Sequence, residues 1–254
     1  MINFLRKSRQ QLTGKNRFTK YVLYAIGEII LVVIGILIAL QINNNNDQRK
    51  ERTTELRYLT NLRKDLVINN AEIDTYIAIR KGCIDSAKKI LDHFDGKPIQ
   101  DASAFIVLGL PIYNWQRFYQ TNNTFQELTS SGNLAMISND TIKTLLYNID
   151  SHQKINKAEE DHFRFDTEVL IYEPLYELVD LKVALEDLGV EMSSSKGKIP
   201  TSPGAYTAFL KSNKAKNGFA MAVLEFETLN QQLAAVKKMS EELIQIIDRE
   251  IAKG

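Results

Sequence analysis

Cysteine is almost missing from this chain: Cys83 is the only one in 254 residues. A single thiol excludes an intramolecular disulfide framework and any zinc finger built on paired cysteines. Five prolines and twelve glycines are too few for a collagen-like or low-complexity chain. No stretch alternates with the period of a strand, and no segment recurs as an internal repeat. Charge of one sign is not in excess either, with 32 Lys and Arg against 31 Asp and Glu, so no nucleic-acid partner is expected. What remains is 44% hydrophobic and 25% charged residues, which excludes a wholly disordered chain.

The balanced total hides a strong asymmetry. Residues 1–20 carry Arg6, Lys7, Arg9, Lys15, Arg17 and Lys20 and no acid. Phe4, Leu5, Leu12 and Phe18 interleave with these bases, which suits an amphipathic arm lying on anionic headgroups. Then comes Tyr21–Ile42, YVLYAIGEIILVVIGILIALQI, whose only charge is Glu28. As a helix these residues span roughly 33 Å, enough for a hydrocarbon core of about 30 Å. Their Ile, Leu and Val residues favour insertion by roughly 4–8 kcal/mol, whereas an acid near mid-membrane costs about 2.5–3.5 kcal/mol. Insertion therefore wins, and the lipid bilayer is the expected partner of this segment.

The apolar run is longer than a secretory h-region and no A-x-A-like site follows, so it reads as an anchor. Six bases precede it. Arg49, Lys50, Arg52 and Arg57 follow it closely. The positive-inside rule then places the N-terminus in the cytoplasm, and residues 43–254 outside the inner membrane. At 100° per residue, Tyr21, Gly35 and Ala39 fall within about 20° of Glu28, and Tyr24 within about 40°. A strip of Tyr21, Tyr24, Glu28, Gly35 and Ala39 is unlike a lipid-facing surface. It predicts packing against a second membrane helix, from another copy or a partner, with Gly35 and Ala39 permitting close approach.

The core GEIILVVIGILIALQINN, within Tyr21–Asn44, resembles the start of a bacterial family of single-pass membrane proteins of unknown function. Phe125–Ile142, FQELTSSGNLAMISNDTI, resembles that family's second recurrent block. Many members carry a Trp after the Asn pair, where this chain has Asn45. The resemblance implies membrane placement and a helical exterior. It implies no activity, substrate or catalytic residue.

Beyond the polar exit Asn43–Asp47, apolar residues recur at Leu59, Leu62, Leu66, Ile73, Ile77, Ile84, Ala87, Leu91 and Phe94. The spacing predicts a long amphipathic helix over about 48–94, continuing from the membrane span and ending at Gly96-Lys97-Pro98. Its coiled-coil-like stripe is interrupted at Asn69, Asn70 and Arg80, which argues against an uninterrupted zipper. Ala102–Leu110 predicts a short helix stopped by Gly109 and Pro111. Tyr113, Trp115, Phe118 and Tyr119 read as core filling, with an aromatic ligand pocket as the sharper alternative. Thr124 and Glu127 have the spacing of a capping box, and Gly132 that of a C′ residue. A second long helix is expected from about 138–140 to 173, broken at Pro174, with a further piece ending near Gly189. Val190–Gly204 reads as an exposed loop. A last helix is expected over about 216–253, with Phe219, Val223, Phe226, Leu229, Leu233, Val236, Leu243 and Ile247 as its stripe.

No catalytic signature emerges. Ser130-Ser131-Gly132 lacks the frame of a nucleophile elbow, and Gly197-Lys198 lacks that of a P-loop. Glu159-x-x-His162 matches half of a di-iron motif, but three histidines cannot complete it. Glu159-Glu160-Asp161 reads as a surface run. Cys83 reads as a buried thiol, with an intermolecular disulfide left open. No catalytic, cofactor or metal site is therefore expected. The expected architecture is all-α: a basic arm (1–20), one transmembrane helix (21–42) and an extracytoplasmic helical bundle (43–254). The expected role is a membrane-anchored interaction, scaffold or sensing module. The alternatives are a membrane-tethered enzyme and an accessory subunit of a transporter or envelope complex.

Overall fold

A computed structural model describes residues 17–191 and 202–254. The basic residues Arg6, Lys7, Arg9 and Lys15, and the Ser193–Lys198 segment, lie outside them. All regular structure among the described residues is helical. Helix α1 spans Arg17–Phe94, α2 Ala102–Tyr113, α3 Asn123–Ser130 and α4 Asp140–Thr167. A π-helical turn, Glu168–Tyr172, leads into the short α5, Glu173–Leu178. Then follow α6 (Leu181–Asp187), α7 (Thr207–Leu210) and α8 (Asn213–Ile251).

The chain divides into two units, residues 1–55 and 56–254. In the first, the described part is helix throughout, and none of its apolar stretch is buried. The second is a bundle of the later part of α1 with α4 and α8. Ion pairs on the bundle's surface record the helix directions. Arg63 meets Asp248 at 2.6 Å, Asp74 meets Lys237 at 2.6 Å, and Asp95 meets Lys216 at 2.5 Å. Numbers rise along α1 as they fall along α8, so the two are antiparallel. Asn139 reaches Glu250 at one end of α4, and beyond its other end Glu173 meets Lys214, so α4 is also antiparallel to α8. Such exposed pairs contribute little each. Burial of the apolar stripes holds the bundle together.

Those stripes are the ones the spacing indicates. Leu59, Leu62, Leu66, Ile73, Ile84 and Ala87 of α1 are buried, as are Phe219, Phe226, Leu229, Leu233, Val236, Leu243 and Ile247 of α8. The core forms two clusters. One holds Ile73, Phe118, Ile149 and Leu233; the other holds Cys83, Trp115, Phe163 and Leu229.

Between them along α1 and α4 lies a buried polar layer. Arg80 and Glu160 are each 1% exposed and form an ion pair. Glu160 also accepts the backbone N–H of Phe118 at 3.1 Å and the Asn156 amide at 3.4 Å. Asn69, likewise buried, donates to the carbonyl of Thr121 and accepts its N–H, both at 2.8 Å. Two side chains thus supply hydrogen bonds to a linker that has no regular structure of its own.

Several local expectations need correction. The polar interruptions of the α1 stripe at Asn69 and Arg80 are not solvated; they turn inward and bond to neighbouring segments. Glu160 is no surface residue, and its neighbour Asp161 pairs with Arg117 at 2.5 Å. Helix α2 runs past Gly109 and Pro111 to Tyr113, and Asp101 caps it by accepting from Ser103 and Ala104. Thr124 and Glu127 do not form a capping box. The Thr124 N–H goes to Asp65, and Glu127 accepts the Tyr58 hydroxyl at 3.0 Å. Gly132 does adopt the left-handed conformation, φ +74°, that its place after α3 demands.

Removing one member of a buried ion pair strands the other. Glu160→Ala is expected to lower stability by about 3–5 kcal/mol in urea denaturation followed by circular dichroism. The Arg80→Met/Glu160→Leu double variant should recover the larger part of that loss.

Candidate functional site

The strip of Tyr21, Tyr24, Glu28, Gly35 and Ala39 is exposed on the apolar part of α1. Tyr21 is 75% and Tyr24 77% exposed, and Glu28, Gly35 and Ala39 are exposed as well. A Cβ added at Gly35 would meet no atom within 4 Å. The helix keeps these five residues on one side, and among the described residues none of the five packs against another element.

A second feature lies inside the bundle domain. A cavity of about 160 Å³ is walled by Phe105, Gly109 and Tyr113 of α2, Ile171 of the π-turn, Leu175 of α5, Ala184 of α6, Phe209 of α7 and Phe219 of α8. No charged side chain lines it among the described residues. Its shape depends on Pro174. Proline has no N–H, and its ring crowds the carbonyl four residues back, so an α-turn cannot pass Leu170 undistorted. The chain widens instead, and the Glu173 N–H bonds to Glu168, five residues away. Gly218 of α8 packs directly on this turn. A Cβ there would lie 2.7 Å from Ile171 Cγ1 and 2.8 Å from Leu170 Cβ.

The same turn aims tyrosines at the end of α2. Tyr172 donates its hydroxyl to the carbonyl of Tyr113 at 2.8 Å, and burial pushes that hydroxyl's pKa up to about 12, so it remains a donor. The hydroxyls of Tyr113 and Tyr176 meet at 2.9 Å. That hydrogen bond, with burial, holds Tyr176 up at about 12 as well. Tyr113 lines the cavity and is 42% exposed, which puts it at the rim, and Tyr176 is bonded to its hydroxyl from outside the lining.

The aromatic run 113–119 therefore divides. Trp115 is core, 4.8 Å from the ring of Phe163 and with Arg164 over its face at 4.7 Å. Phe118 is also core, whereas Tyr119 is exposed. Only Tyr113 belongs to the cavity. Sequence reasoning missed the other wall residues because they are scattered over α1, α2, the π-turn and α5 to α8. Pro174 was the one local sign of an irregular turn.

A third group lies on the bundle's surface. His162 and Asp166 of α4 and Glu225 of α8 place their ligand atoms within 4.8 Å of one another. One imidazole nitrogen and two carboxylates could hold a divalent cation, though the half of a di-iron motif formed by Glu159 and His162 is not what assembles here. Glu225 is pushed up to about 7, first by burial and then by the negative charge of Asp166. Cys83 is fully buried, and its Sγ lies 3.3 Å from the Pro111 carbonyl. Burial raises its pKa, so it stays a thiol, closed off from an intermolecular disulfide.

The model of a family of unknown function, DUF6090, matches residues 28–202, more than half of the chain. No curated protein and no solved structure matches.

Gly218→Ala is expected to cost about 1–3 kcal/mol of stability, because the new methyl meets packed side chains and, at 3.0 Å, the Leu170 backbone. A carboxyl whose folded pKa is raised keeps its full stability contribution only below its unfolded value. Glu225 therefore makes the fold less stable as pH climbs from about 4.5 to about 7, with no further change above. Thermal melts across that window should show the decline, and Glu225→Gln should flatten it, raising Tm at pH 8 by roughly 1–3 °C.

Proposed function

The chain belongs to DUF6090, a family of unknown function, and from that premise we propose that it is a membrane-anchored helical module for interaction or sensing. The observation that carries this reading is the contrast within α1. From Lys20 to Ile42 every residue is exposed, with a hydropathy of 2.7 in its most apolar window. A helix that is apolar all round and covered by nothing of its own chain is stable only in a lipid-like surrounding. The same helix from Leu59 onward has the one-sided stripe of a water-borne bundle. The excess of bases before the apolar stretch favours a cytoplasmic N-terminus and an extracytoplasmic bundle.

Within the bilayer, the strip of Tyr21, Tyr24, Glu28, Gly35 and Ala39 is the surface for a second helix, from another copy of the chain or from a partner. Glu28 is costly facing lipid and less so facing protein. Gly35 leaves room for a neighbouring backbone.

The anchor predicts that the full-length chain sediments with membranes, resists alkaline carbonate extraction and retains residues 1–42 by intact mass. Recovery in the high-speed supernatant, or a mass lacking those residues, would overturn it. The strip predicts that Glu28→Leu and Gly35→Leu each reduce crosslinked oligomer in native membranes about tenfold. The same crosslinked species in wild type and both variants would show that the chain associates by another surface.

A further inference from the structure

We infer that the bundle's cavity is a binding site for a small, neutral, amphipathic molecule. Its apolar group of about six carbons enters among Phe105, Ile171, Leu175 and Phe219, and its hydroxyl or carbonyl stays at the Tyr113–Tyr176 rim. The inference concerns the bundle alone and does not depend on what the membrane helix contacts.

Size comes first. The cavity is about 160 Å³. A dry apolar cavity of about 150 Å³ is enough to admit benzene, so a ring or short aliphatic chain of that size fits. Chemistry comes second. Leaving such a space empty forfeits dispersion contacts on every wall, and a lining whose only hydroxyls among the described residues are those of Tyr113 and Tyr206 offers water few partners. An apolar occupant restores the contacts. No charged side chain lines the space among the described residues, so an ionised headgroup would enter unpaired. Two phenol oxygens 2.9 Å apart at the mouth provide the polar handle. Between them they use one hydrogen for their mutual bond, which leaves one hydroxyl hydrogen and free lone pairs for a ligand.

Construction comes third. The wall at Ile171 is a π-turn, a local irregularity that recurs at functional sites, and it is clamped from behind by Gly218. Gly109 faces the space without filling it: a Cβ there would meet nothing within 4 Å. A larger residue at 109 would close the cavity and improve the helix at once, since glycine in a helix interior is destabilising by about 0.5–1 kcal/mol relative to alanine.

The test uses the full-length chain in lipid nanodiscs, with protein-free nanodiscs to subtract partition into lipid. The neutral probe is 4-fluorophenol, read by fluorine NMR, and the charged one is 4-fluorobenzoate. Wild type should bind fluorophenol saturably, with a Kd of about 10 µM to 1 mM, and fluorobenzoate at least tenfold more weakly. Gly109→Leu should abolish saturable binding while keeping Tm at or above that of wild type. Ala184→Leu, at a second buried point of the wall, should also abolish it. Tyr113→Phe, at the exposed rim, should raise Kd about three- to tenfold.

Absence of saturable binding to folded wild type would overturn the inference. So would equal binding by wild type and both filled variants, or tighter binding of the anion. The natural source is resolved by organic extraction of the chain purified from its own membranes. A neutral short-chain lipid recovered from wild type but not from Gly109→Leu marks the bilayer as the source. An extract free of lipid, with fluorophenol still bound, marks a soluble molecule.

Discussion

The guanidinium of Arg80 and the carboxylate of Glu160 meet where almost no water reaches, and the middle of the bundle is arranged around that meeting. Each charge is tolerable only because the other is present and because Glu160 also takes the Phe118 N–H and the Asn156 amide. Along α1 the residues before Arg80 belong to one apolar cluster and those after it to the other. The pair therefore sets the register of α1 against α4. A slide of one helical turn would still match many aliphatic residues, but it would leave two buried ions alone. The apolar stripes supply most of the driving force for assembly, and the ion pair selects one alignment among several that the stripes would allow.

Periodicity was the most readable part of this chain. The stripe from Phe219 to Ile247 and that from Leu59 to Phe94 are buried for the most part, with Ile77, Leu91, Phe94 and Val223 half-buried at their edges, because helix amphipathicity is a local record of which side faces the core. Polar residues at core positions were misread for the same reason. Nothing local distinguishes Arg80 from a solvated arginine, or Glu160 from its neighbours in the run 159–161, since each is paired with a partner eighty residues away. Thr124 and Glu127 have capping-box spacing, yet Asp65 and Tyr58 claim their bonds. Tertiary partners outcompeted a local motif.

The candidate sites show the same division. The strip of Tyr21, Tyr24, Glu28, Gly35 and Ala39 follows from helix geometry alone, and the helix is continuous through it. The cavity could not be read from the sequence, because its walls join residues as far apart as Ile90 and Phe219. Its one sequence mark, Pro174, announces an interruption without saying what the interruption encloses. The cluster of His162, Asp166 and Glu225 likewise needs two facing helices to exist.

The linker between α2 and α3 is tied down at Phe118 by α4 and at Thr121 by α1. Two residues separate those attachments. Insertions and deletions are ordinarily absorbed by irregular segments, yet here a single added or lost residue would pull one amide off its anchor and strand a buried polar group. An added or lost residue would therefore be absorbed more easily in turns that bond only to themselves, and the stretch from Phe118 to Thr121 acts as a fixed ruler between two helices.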